Sequence, residues 1–164
     1  MPKRTLIATL VGLASATALA APGDVQLEPA SLRIIPGQNF ALNVVVDSGA
    51  EKLGGYTLEL SYDRNLVQFD TTVATGADAL STANVYNVEN DKGTIKMTGL
   101  DVTGKGPGGN LHILTLNGMA PTDAAPGTAT LKLNAVSLIN EMADTIGTPS
   151  GQGATIVVTG PMLK

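Results

Sequence analysis

The segment from Leu53 to Phe69, LGGYTLELSYDRNLVQF, carries the clearest hydrophobic pattern in the chain: Tyr56, Leu58, Leu60 and Tyr62 alternate with Thr57, Glu59 and Ser61. A period of two belongs to a β-strand with one buried and one open face, because a helix would scatter the same apolar residues around its circumference. The phase predicts that Leu60 points into a core and Glu59 away from it, and that Val67 and Phe69 resume the inward phase after a turn at Asp63-Arg64-Asn65. Earlier in the chain, Val25 to Leu27 and Leu32 to Ile35 read as strands ending at Pro36-Gly37. Phe40, Leu42, Val44 and Val46 then alternate over a half-buried strand that closes at Ser48-Gly49.

Downstream the punctuation stays short. Asn84 to Glu89 and Thr94 to Gly99 flank Asn90-Asp91-Lys92-Gly93, whose Asn, Asp and Gly tolerate the left-handed backbone a hairpin needs. Leu111 to Leu116 is apolar enough for a central strand, Leu131, Leu133 and Ala135 alternate again, and Ala154 to Thr159 supplies a last strand. Between them, Asp101 to Asn110 and Pro121 to Gly127 read as loops, and Ala74 to Thr82 has room for one helical turn. The expectation is an all-β fold, a sandwich of about nine strands in two sheets with jelly-roll or Greek-key connections.

The first twenty residues follow another logic. Lys3 and Arg4 precede an apolar, small-residue run from Leu6 to Ala16, and Ala18-Leu19-Ala20 has the A-x-A form that signal peptidase accepts. The run is too short, and too diluted by Thr9, Gly12, Ser15 and Thr17, for the ~20 strongly apolar residues that cross a bilayer. Residues 1–20 are therefore predicted to be a signal peptide cut before Ala21, and 21–164 a single secreted, extracellular or cell-surface domain. Membrane contact is expected only through an uncleaved leader.

Composition narrows the chemistry. The formal charge is −4, and the leader carries Lys3 and Arg4 but no acid, so the remainder is more negative still, which argues against nucleic acid and anionic lipid. With no Cys, the fold rests on packing and sheet hydrogen bonds, and thiolate chemistry is excluded. Gly104, Gly106 and Gly109 match G-x-G-x-x-G in form only, since Pro107 interrupts it and no βαβ context surrounds it. His112, the one His, sits in an apolar strand without a recognisable triad and reads as a structural residue at a strand edge. Asp63, Asp70, Asp91, Asp101 and Asp144 lack calcium-loop spacing and read as turn formers. No enzyme activity, metal or cofactor is expected. A polysaccharide partner is possible in this architecture, but it normally needs exposed aromatic rings, and Phe40, Tyr56, Tyr62, Phe69 and Tyr86 all fall on inward phases in a chain without Trp.

The order LGGYTLELSYDRNLVQF, YNVENDKGTIKMTGLD, a Gly-rich loop into NLHILTLN, then GTATLKLNAVSLIN resembles the cohesin domain family over Val25 to Val158, most specifically at the Tyr62-Asp63 corner with Leu66 to Phe69 behind it. The resemblance implies a nine-stranded sandwich that binds a protein partner, in cohesins a dockerin. It further implies that the outward residues of the strand entering the corner, here Gly55, Thr57, Glu59 and Ser61, form the partner-binding surface. Dockerin-binding cohesins commonly carry Asn and Asp there, and this chain departs from them with Gly55 and Thr57. Self-assembly into a filament or surface layer, with Val25 to Ile35 or Thr155 to Lys164 as an exchanged strand, is a further expectation of the sequence.

Overall fold

The structure, a computed structural model, describes residues 20–160, so the predicted leader lies outside the described residues except for Ala20. Twelve strands and no helix are present in that span. They are β1 (Asp24–Glu28), β2 (Ser31–Ile34), β3 (Asn39–Val46), β4 (Leu53–Ser61), β5 (Gln68–Phe69), β6 (Ala74–Thr75), β7 (Ala83–Glu89), β8 (Thr94–Lys105), β9 (Leu111–Met119), β10 (Gly127–Asn140), β11 (Ser150–Gln152) and β12 (Ala154–Val158). One sheet runs β11-β1-β3-β9-β5 with β6 also on β9; the other runs β2-β12-β10-β4-β8-β7. Most pairs are antiparallel, while β1 with β11 and β2 with β12 are parallel, so both sheets are mixed.

The alternation seen in sequence is what joins the sheets. Leu42, Val44, Leu114 and Leu116 from one and Leu58, Leu60, Ile95, Met97, Leu131 and Ile156 from the other meet in a single apolar core. Leu60 is 1% exposed while its neighbour Glu59 is open to solvent, so the phase is as expected. Phe69 lies beneath the corner in edge-to-face contact with Tyr62 (4.8 Å between centroids) and Phe40 (5.5 Å), a geometry that suits the ring quadrupoles.

Three local expectations give way. Ala74 to Thr82 holds no helical turn: Ala74 and Thr75 pair with Thr115 and Leu114 of β9, and the chain then turns under Asp78, whose carboxylate accepts the His112 backbone N–H. Asp101 to Lys105 is strand rather than loop: β8 keeps its alternation past Gly99 as far as Val102 and, after a register shift against β4, pairs again at Lys105 with Leu53. His112, expected at a strand edge, occupies a central strand with its ring Nε2 2.8 Å from Thr115 Oγ1. The strands proposed for exchange pair within their own chain: β1 with β3 and β11, β2 with β12, and β12 with β10.

Candidate interaction face

Four strands, β10, β4, β8 and β7, present one continuous outer face, and the register arranges its side chains in rows. Ile139, Gly55, Leu100 and Ala83 form the first row across the strands; Ser137, Thr57, Thr98 and Val85 the second; Asn134, Glu59, Lys96 and Asn87 the third; Lys132, Ser61, Thr94 and Glu89 the fourth. The first two rows are neutral and partly apolar, and the last two are polar and charged. A shallow depression of about 320 Å³ follows Glu59, Ser61, Lys96, Lys132 and Asn134 across the charged half.

All four residues expected at the partner-binding surface lie on this face, though they are not equivalent. Glu59 and Ser61 are exposed and Thr57 is half-buried at the centre. Gly55 is buried: the Ile139 side chain lies over it, 3.0 Å from where a Cβ would stand, so an incoming partner meets Ile139 rather than bare backbone.

What the sequence reading missed is the apolar component. Six large hydrophobic side chains are exposed among the described residues, and four of them belong to this face: Val85 (67%), Leu100 (44%), Val102 (70%) and Val136 (52%). Leu100 and Val102 extend the outward phase of β8, and Val136 is the extra residue at a β-bulge where the β10–β4 register shifts between Ala135 and Ser137. A bulge turns one additional side chain outward at that point, here a valine beside Thr57.

The face is held from below by hydrogen bonds. The Tyr56 hydroxyl reaches across Gly99, where any Cβ would strike the ring, and donates to Asn84 Oδ1 at 2.8 Å; Asn84 Nδ2 in turn donates to the Leu80 carbonyl. Burial raises the Tyr56 pKa well above its ordinary value, keeping the donor in place. Asp101 accepts from the Ser81 hydroxyl and N–H at one oxygen and from the Thr103 hydroxyl and N–H at the other. These four donors hold its carboxyl far below the usual range and tie the approach to β7 onto β8. At the other end, Asn90 accepts from the Tyr62 hydroxyl (2.6 Å) and the Phe69 N–H, and donates to the Phe69 carbonyl. Desolvation, with the Asp91 charge nearby, pushes the Tyr62 pKa up to about 12.

Nothing in this arrangement resembles a catalytic constellation. Among the described residues, no group of three or more His, Asp or Glu converges as a metal site would require. Asp63 caps its own turn by accepting the Asn65 N–H, and Asp101 is fully engaged as above. The five aromatic rings all lie on inward phases, with only Tyr86 left half-buried at the edge. What the sandwich does offer is one broad, partly apolar sheet face.

The chain belongs to the cohesin domain family, whose model matches residues 25–156. The family is a non-catalytic protein-binding module. Solved structures agree on the fold. The cohesin CaCohA2 from Clostridium acetobutylicum is 17% identical with a TM-score of 0.69, the match covering 84% of this chain and 92% of that one. A cohesin in the Coh-OlpA-Doc918 type I cohesin–dockerin complex from Clostridium thermocellum is 13% identical with a TM-score of 0.71, covering 83% and 98%. A non-cellulosomal cohesin from the archaeon Archaeoglobus fulgidus is 18% identical with a TM-score of 0.68, covering 83% and 90%. No curated protein matches the sequence.

Proposed function

We propose that this chain is an exported, non-catalytic assembly module that takes a dockerin-like protein on the outer face of β10, β4, β8 and β7. The observation that carries the reading is the concentration of exposed apolar side chains on that face, around the Thr57 position to which the family resemblance points. Similar cohesins have been solved in complexes with dockerins. The leader read at residues 1–20 supports export.

Binding follows from the rows. A partner covering Val85, Leu100, Val102 and Val136 removes four apolar side chains from water, each worth on the order of 1 kcal/mol. Glu59, Lys96 and Lys132 on the charged half then fix orientation, because their pairing depends on where the partner's charges fall. With Gly55 and Thr57 in place of Asn and Asp, recognition relies less on polar bonds at the centre and more on apolar fit, so a partner with a neutral, apolar contact surface is favoured.

The test is capture from the secreted fraction with the protein as bait. Recovery of a dockerin-bearing protein supports the reading. Retention on insoluble polysaccharide with no protein captured contradicts it.

A further inference from the structure

The two sheets end in strands of unequal exposure. β2 has four residues, carries Arg33 and is flanked by Pro29 and Pro36; β11 has three and follows Pro149; β5 and β6 have two each. Short length, Pro and outward charge are the usual protections of a sheet edge. β7 is nearly bare of them: it runs seven residues, Ala83–Glu89, with no Pro, Lys or Arg, a single charge at its last residue, Glu89, and no break in its pairing with β8. Its inward side chains show that the edge is open. Ile95 and Met97 on β8 are fully buried, whereas Asn84, Tyr86 and Val88, at the same depth on β7, are only half-buried. Tyr86 and Val88 thus leave apolar surface that a further strand would cover.

We propose that β7 is a self-association edge, on which a second copy of this chain pairs its own β7 antiparallel about a two-fold axis to give one sheet continuous through both copies. The sequence of the strand favours its own copy. Pairing centred on Val85 sets Val85 beside Val85, Ala83 beside Asn87 and Asn84 beside Tyr86, so no charge faces a like charge although the whole chain is acidic. Glu89, the one charged residue of the strand, lies at its end and is already paired with Lys92 at 2.7 Å. The exposed Val85 of each copy is covered by the other, and the two outer faces come side by side. This inference rests on the edge itself and stands apart from the identity of the partner protein.

Sedimentation equilibrium of the protein over a range of concentrations tests it, with melting as the folding control. A reversible dimer is expected, and hydrogen exchange at the β7 amides is expected to slow as it forms. Val85→Lys sets two like charges side by side on the axis, and independently Asn87→Lys puts an unpaired charge on the pairing edge beside Ala83 of the other copy, both at exposed positions that the fold does not need. Each should weaken the dimer roughly tenfold or more in a protein that still melts normally. A monomer at every concentration up to about 1 mM overturns the proposal. So does a dimer that both substitutions leave unchanged, or one that forms without slowing exchange in β7.

Discussion

Replacing Asn90 by Ala should destabilise this domain more than any other single change at a polar turn residue. The side chain satisfies three groups at once: Oδ1 accepts the Tyr62 hydroxyl at 2.6 Å and the Phe69 N–H at 2.9 Å, and Nδ2 donates to the Phe69 carbonyl at 2.7 Å. Tyr62 and Phe69 are buried, and a buried polar group left unpaired costs about 1–3 kcal/mol. Asn90 is only half-buried, so water reaches part of the vacated site, and the expected loss is about 2–4 kcal/mol of the roughly 5–15 that hold a domain together. Tyr62→Phe removes one of the three bonds and leaves Asn90 engaged with Phe69, so it should lose only about 1 kcal/mol. Because the two changes share a bond, the double variant should fall short of additivity by about 1 kcal/mol. Urea denaturation of the four proteins measures all of this. A loss below about 0.5 kcal/mol for Asn90→Ala, or strict additivity, would refute the view that Asn90 clips β5 to the corner.

Leu60→Asp places a carboxylate in the inter-sheet core, which costs several kcal/mol and should leave the protein unfolded or insoluble, while Glu59→Ala should shift stability by less than about 0.5 kcal/mol; equal melting of the two would contradict the strand's phase. The Asp101 carboxyl is depressed by its Ser81 and Thr103 hydrogen bonds, so the stability it confers is complete above the unfolded carboxylate pKa of about 4 and is lost as pH falls below it. Melting temperature should therefore drop on acidification, with a shallower slope in Asp101→Asn. Tyr62 shifts upward, so its contribution is complete below the unfolded pKa of about 10 and is lost as pH rises through about 12; Tyr62→Phe should flatten that alkaline slope. Exported protein should begin at Ala21 by intact mass, and a form that retains Met1 or Pro2 would show that the leader is kept.

The sandwich was legible because period-two alternation is imposed by burial, and burial dominates wherever a strand has one open face. Tyr56 to Tyr62 and Phe40 to Val46 kept their phase for that reason. Where the pattern failed, a local device had reset it. The bulge at Val136 sends two consecutive β10 residues, Val136 and Ser137, outward, and on β9 the pairing skips from His112 to Leu114 so that Ile113 and Leu114 are both buried. Periodicity carries no signal for either. Gly and Asp made Asp101 to Lys105 look like a loop, yet Asp101 sits at an inward strand position because Ser81 and Thr103 satisfy its carboxylate, and Ser81 lies twenty residues away in sequence. The interaction face was half visible for the same reason. Thr57, Glu59 and Ser61 could be read from the alternation of one strand, whereas Val85, Leu100, Val102 and Val136 become a patch only once the register of four strands is known. The cover that Ile139 gives Gly55 likewise depends on a cross-strand neighbour more than eighty residues downstream.

The central claim, that the β10-β4-β8-β7 face is where a partner protein binds, is tested most directly by titrating Thr57→Arg against the captured partner. Thr57 stands in the middle of that face between Ser137 and Thr98, with Val136 and Val85 on either side, and its outward side chain plays no part in the core. An arginine there adds bulk and an unpaired charge at the contact centre, so affinity should fall by about 2 kcal/mol or more, roughly thirtyfold, in a protein whose melting is unchanged. Undiminished affinity in the folded variant would contradict the assignment and move the binding surface off this face.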